Sequence, residues 1–234
     1  MIVLTLLGLD EFYRMALPAR RLEGKLAALA GAGALCTVFA ADATYQIMAL
    51  TLLVLVFALL ALFRLRDIRQ AAADIALVLM GFLYVPLLLG HLILIRSLPH
   101  GVSWLFLIMV IVMSGDSAAY YVGSALGKTK LYPAVSPKKS VEGSLGGLAG
   151  SVIGACAAKA VFFPELTVFD CLATALLLGV LGQLGDLFES LLKRSCGVKD
   201  SGTIFPGHGG VLDRLDSILF AGPVAYYYAY FLLR

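Results

Sequence analysis

Five carboxylates among residues 101–234 stand out within or at the head of apolar segments. Asp116 comes late in an apolar run that begins at Val102, Asp186 and Glu189 lie within about two turns of the end of another, and Asp213 and Asp216 head a third. Each of the two pairs is spaced three residues apart, which puts both acids on one helix face with Cβ atoms about 5 to 6 Å from each other. An ionised side chain inside an apolar helix is costly and marks a function or an internal partner. Two such pairs on helices joined by one loop can converge, and unpaired they would repel. A hard divalent cation is the natural candidate to lie between them. Carboxylate and water ligands suit Mg2+ or Mn2+, and Mg2+ is usually held by one or two carboxylates together with substrate phosphates. A helix cap is the plainer explanation for Asp213 and Asp216, because acids near a helix N-terminus accept from its free N–H groups. It explains one of them more easily than both together with Asp116, Asp186 and Glu189.

Basic residues accompany these acids. Lys193, Arg194 and Lys199 precede a turn containing Gly207, Gly209 and Gly210, whose backbone can approach an anion closely. A second basic segment, SPKKSVEGSLGG from Ser136 to Gly147, offers Lys138 and Lys139 to phosphates, with Ser136 and Ser140 as donors. In the same segment Glu142 follows Ser140 in a loose version of a helix capping pattern. The alternative for all these bases is membrane topology alone.

The elements that must position them are membrane helices. The chain has 234 residues, 61% hydrophobic and 14% charged, against about 25% charged in a soluble domain, and its mean hydropathy is +0.94. Apolar runs near 26–42, 46–63, 74–95, 102–126, 145–163, 169–192 and 215–233 approach or exceed the roughly 20 residues that cross a bilayer. None shows the alternation of barrel strands. The expected fold is all-α, a polytopic transmembrane bundle of about seven spanning helices plus a short apolar segment, Ile2–Leu9. That segment reads as half of a re-entrant element or the remnant of a longer one, and not as a signal peptide, since no basic stretch precedes it and no small-residue cleavage site follows. The connecting loops alternate: 10–25, 64–73, 127–144 and 193–214 carry Lys and Arg, while 43–45 and 164–168 carry none and 96–101 only Arg96. By the positive-inside rule the four basic segments face the cytoplasm.

Residues 1–100 read as a scaffold of transmembrane helices that also offers dimer contacts. Pro86 is expected to kink its helix, and His91 reads as a structural histidine. Residues 101–234 read as the catalytic half. Gly146, Gly150 and Gly154 leave a smooth helix face, which suits packing inside the bundle or, alternatively, a homodimer interface. The cysteines, Cys36, Cys156, Cys171 and Cys196, are scattered without C-x-x-C spacing, so neither a disulfide framework nor a zinc site is expected.

The run SLLKRSCGVKDSGTIFPGHGGVLDRLD, Ser190 to Asp216, resembles the signature of the phosphatidate cytidylyltransferases, also called CDP-diglyceride synthases. Ser190, Lys193, Arg194, Lys199, Asp200, Gly202, Pro206, His208, Gly209, Gly210, Asp213, Arg214 and Asp216 all fit that pattern. GDSAAYYVGSALGK, SPKKSVEG and, near the start, LGLDEFYRM resemble further blocks of the family. Ser140 stands where members more often have Thr, which keeps the hydroxyl, and members usually carry hydrophobic spans ahead of EFYRM. The resemblance implies Mg2+-dependent conversion of CTP and phosphatidate to CDP-diacylglycerol and pyrophosphate in a bacterial inner membrane. It implies Asp186 and Asp213 as metal ligands, for one ion or two, with Asp116, Glu189 or Asp216 as further ligands. Lys193, Arg194, Lys199 and Arg214 would meet phosphates, and His208 would orient a phosphate oxygen or the departing pyrophosphate. Acyl chains would lie in an apolar groove beside the last helices, and no nucleic-acid partner is implied. Two rivals share parts of this pattern: a CTP-dependent kinase of a polyprenol or phytol, and an ion-coupled transporter. Acids gathered toward one membrane face, without an inverted repeat, speak against the transporter.

Overall fold

The computed structural model describes residues 1–19, 21–36, 43–63, 68–207 and 209–232. Arg20, Arg64, Arg66, His208 and Arg234 therefore lie outside the described residues. The described elements are helices α1 (Ile2–Ala16), α2 (Arg21–Cys36), α3 (Ala43–Phe63), α4 (Ala71–Phe82), α5 (Leu88–Arg96), α6 (Gly101–Leu126), α7 (Val141–Val161), α8 (Val168–Ser195) and α9 (Leu212–Leu232), with strands β1 (Lys130–Tyr132) and β2 (Ser136–Ser140) between α6 and α7. Among the described residues, four helical runs are long and apolar enough to cross a membrane: Ala71–Arg96, Gly101–Leu126, Val141–Val161 and Val168–Ser195. They coincide with four of the seven expected spans, and the all-α membrane fold stands. A shorter apolar helix, Ile47–Leu60, lies within a fifth.

The chain divides into two compact units, Met1–Ile93 with Asp200–Asp213, and Leu94–Lys199 with Arg214–Arg234. The segment Asp200–Asp213 belongs to the first unit.

Within the first unit, α1 runs on through residues 10–16, which the sequence reads as loop. Leu9, Phe12 and Tyr13 are buried on it, and Asp10 pairs with Arg14 one turn later at 2.6 Å; an apolar face and a pair spaced four residues apart favour helix over loop. Tyr13 wedges between α2 and α4, where a Cβ on Gly24 would meet its Cβ at 2.8 Å and a Cβ on Gly81 its hydroxyl at 2.7 Å. Its hydroxyl donates to the Val78 carbonyl at 2.8 Å, and burial pushes the phenol up, so it stays a donor. Pro86 sits in a π-helical turn, Leu83–Leu87, between α4 and α5. Such a turn accommodates the hydrogen bond that proline cannot make without ending the helical run. His91 bonds the Leu87 carbonyl through Nδ1 at 2.9 Å, the structural role expected of it.

In the second unit, α6 and α7 lie against each other across the glycine face. A Cβ on Gly146 would run into Val122, one on Gly150 would lie 2.7 Å from the Ser114 carbonyl oxygen, and one on Gly154 would lie 3.2 Å from that of Val110. This face is covered by α6 of the same chain, which corrects the homodimer alternative there: backbones this close leave no room for a second copy. Ser140 caps α7 by accepting from Gly143 N at 3.1 Å. Glu142 does not complete a capping box; it reaches back to accept from Lys128 N and Thr129 N, each at 3.1 Å, at the start of the hairpin. The segment expected as a loop is thus an antiparallel pair, with Lys130 opposite Ser140 and Tyr132 opposite Ser136.

Helix α8 opens with a capping box between Thr167 and Asp170. Asp170 also accepts from the Tyr228 hydroxyl at 2.7 Å, which ties the start of α8 to the later part of α9. Its other end closes in a Schellman motif, in which Val198 N bonds the Lys193 carbonyl at 3.0 Å, Gly197 N bonds that of Arg194 at 3.1 Å, and Gly197 adopts a φ of 72°. Both ends of α8 are therefore pinned, and the acids on its last turns are held in place.

Candidate active site

The second unit gathers charged side chains at the hairpin end of its helices. Lys139 on β2 pairs with Asp186 on α8, Nζ to Oδ2, at 2.7 Å; both stay partly open to solvent, at 26% and 33%. One turn along α8, Lys193 pairs with Glu189. Glu189 is fully buried and Lys193 nearly so. Asp116 on α6 lies within electrostatic range of Asp186 and Lys139, and Asp216 on α9 within range of Asp186, Asp116 and Lys193. Gly185 permits this approach of α8 and α9, since a Cβ there would sit 2.5 Å from the Asp216 carbonyl oxygen. Three carboxylates from three helices, Asp116, Asp186 and Asp216, thus lie within electrostatic range of one another, with Lys139 and Lys193 in the same range. In water like charges at such range would spread apart, and here the helices hold them together.

Of the bases expected to meet phosphates, Lys138 is exposed beside the paired Lys139, and Lys199 is exposed after the Schellman turn. Arg194 bonds the Val135 carbonyl at 3.5 Å and that of Val198 at 3.4 Å, linking α8 to the hairpin. Ser136 begins β2 half-buried, and Arg214 is exposed on the first turn of α9. Among the described residues no group of three or more His, Cys, Asp or Glu side chains is spaced as a ready-made metal cage. The donor set nonetheless fits Mg2+, which needs only one or two carboxylates when waters and phosphates complete its shell.

In the first unit, the segment Asp200–Asp213 folds around two acids. Asp213 Oδ2 accepts from Ser201 N at 2.9 Å, Ser201 Oγ at 2.8 Å and Gly210 N at 2.7 Å. This is the helix-end role that a carboxylate in the first turn of α9 suits. Gly209 has a φ of 81°, with Asp213 against the position of a Cβ, so the backbone conformation and the space both call for glycine. Gly207 also has positive φ, at 75°. The second acid is Glu11 on α1, which the residue types and spacings do not single out. It is 4% exposed and accepts from Val211 N at 2.9 Å and Leu212 N at 2.9 Å, with the Ser201 hydroxyl oxygen 3.1 Å away. The available signal was a carboxylate inside the apolar start of the chain, within LGLDEFYRM.

A model of the cytidylyltransferase family matches residues 1–232. The chain belongs to the cytidylyltransferase family. Phosphatidate cytidylyltransferase of Bacillus subtilis (strain 168) is 43% identical over 155 residues, 66% of this chain and 58% of that protein. The protein of the same name from Staphylococcus aureus (strain COL) is 41% identical over 156 residues, 67% of this chain and 59% of that one. That of Staphylococcus haemolyticus (strain JCSC1435) is 38% identical over 187 residues, 79% and 70% of the two chains. This cytidylyltransferase-family chain thus spans under two thirds of the length of the first two of these relatives.

Proposed function

We propose that the chain is a CTP:phosphatidate cytidylyltransferase, joining the two substrates into CDP-diacylglycerol and releasing pyrophosphate on the cytoplasmic side of a bacterial inner membrane. The observation that carries this reading is the cluster of Asp116, Asp186 and Asp216 interleaved with Lys139 and Lys193. The names of the relatives support it.

The reaction asks little of a general base. A phosphatidate phosphate is already anionic at neutral pH; one of its oxygens attacks the α-phosphorus of CTP, and the bond from that phosphorus to the bridging oxygen of the β-phosphate breaks. The obstacle is bringing two polyanions together, so catalysis consists of positioning and charge neutralisation. Lys139, Lys193 and the exposed Lys138 supply positive charge at the hairpin end of the second unit. Asp186, with Asp116 or Asp216, would hold Mg2+. When bound, the ion neutralises charge on attacking and leaving oxygens. The family resemblance adds Asp213 as a further carboxylate on which the reaction depends, and Lys199 and Arg214 as partners for phosphate oxygens.

The test is product formation by the purified protein in mixed micelles of detergent and phosphatidate. One pyrophosphate should appear per CDP-diacylglycerol, EDTA should abolish both, and added Mg2+ should restore them. Pyrophosphate release that does not require phosphatidate, or undiminished turnover in EDTA, contradicts the reading.

A further inference from the structure

Glu11 is an acid that the mechanism above does not use, and its surroundings are built to hold it. Its two carboxylate oxygens accept from backbone amides about two hundred positions away in sequence, Oε1 from Val211 N at 2.9 Å and Oε2 from Leu212 N at 2.9 Å, and Ser201 Oγ lies 3.1 Å from Oε2. The Val211 and Leu212 amides belong to the start of α9, whose first N–H groups have no partner within the helix. A carboxylate from another helix thus performs the task that a local cap usually performs. Glycine at 202 and 210 makes room for it. A Cβ on Gly202 would lie 2.7 Å from Glu11 Cδ, and one on Gly210 would lie 2.5 Å from both Cδ and Oε1.

Ser201 carries the connection onward. Its hydroxyl stands between Glu11 Oε2, at 3.1 Å, and Asp213 Oδ2, at 2.8 Å. A hydroxyl has one proton and two acceptor sites, so its orientation depends on both acids at once. Asp213 Oδ2 in turn holds Ser201 N and Gly210 N.

We propose that Glu11 is a positioning residue for the reaction: through Ser201 and the Val211 and Leu212 amides it fixes the orientation of the Asp213 carboxylate within the segment Asp200–Asp213. The proposal rests on the cytidylyltransferase reading and extends it to Glu11 on α1, acting through the Asp213 carboxylate. Glutamine at position 11 keeps the shape but replaces one acceptor oxygen with a donor that faces an N–H group. A positioning defect of this kind lowers kcat and spares substrate affinity.

The experiment compares the full chain in detergent with Glu11→Gln, Ser201→Ala and the double variant. Each variant is measured for kcat, for KM toward CTP and phosphatidate, and for hydrogen exchange of the peptide covering residues 201–213 without substrates. Glu11→Gln is expected to lower kcat per folded molecule about 10- to 100-fold, as loss of an outer-shell partner does, with both KM values within about threefold and with faster exchange of that peptide. The double variant should lose less than the product of the two single losses, because one path is cut twice. Glu11→Gln with kcat within about twofold of the parent, or with unchanged exchange at 201–213, overturns the proposal. A parent chain that forms no CDP-diacylglycerol sinks the reaction reading and with it the kinetic part of the proposal, while the exchange comparison still decides whether Glu11 holds the segment.

Discussion

Lys138 and Lys139 are neighbours in sequence with different surroundings. Lys139 is half-buried against Asp186, and Lys138 is exposed. Removing Lys139 leaves Asp186 facing Asp116 and Asp216 with one positive charge fewer, so Lys139→Ala should lower turnover at least about tenfold, in the range of lost charge-assisted contacts. Lys138→Ala should cost less than a third of that loss. Equal losses measured under the same assay contradict the pairing as the reason. Glu189 makes a different prediction, about stability. It is fully buried with Lys193 as its ion-pair partner, and breaking a buried pair by removing one member costs about 3–5 kcal/mol. Lys193→Met should therefore lower the thermal midpoint in detergent, and adding Glu189→Gln should recover part of the loss. A double variant no more stable than Lys193→Met argues that the pair is not what Lys193 contributes.

At the scale of elements, the glycine face of α7 holds α6 close. A Cβ at Gly150 would meet the Ser114 carbonyl oxygen at 2.7 Å, whereas one at Gly33 on α2 meets nothing within 4 Å. Gly150→Ala should destabilise the protein by about 1–3 kcal/mol through overpacking, while Gly33→Ala should leave thermal unfolding unchanged or slightly raised; the reverse order contradicts the packing. This face was legible in the sequence, as were the four long spans, because a helix in lipid announces itself by an unbroken apolar run. The acids were legible for the same reason, since charge stands out in such runs. What the sequence hid depends on tertiary contact. The hairpin at 130–140 has polar strands with no apolar alternation to reveal them. α1 continues through Glu11 because Phe12 and Tyr13 find partners on other helices. The link from Glu11 to residues 201–212 crosses about two hundred positions, and no local spacing encodes it. Lys139 and Asp186 were each visible as chemistry, but their pairing at 2.7 Å belongs to the fold.

For the whole molecule, the proposed function requires the charged end of the second unit to face the aqueous side where CTP is found. The four basic segments predict that side to be the cytoplasm. Lys138→Cys, compared with the parent chain, should gain labelling by a membrane-impermeant maleimide in inverted vesicles and none in intact spheroplasts; labelling only in spheroplasts would reverse the orientation. The central claim is that the α-phosphate of CTP goes to the lipid, and this is measured most directly by following label. CTP labelled at the α-phosphate is incubated with phosphatidate and the purified chain, and the lipid phase is counted. Under the proposed reaction the label enters the lipid as CDP-diacylglycerol. Label remaining in water-soluble CDP while the γ-phosphate enters the lipid would contradict it and make the protein a kinase.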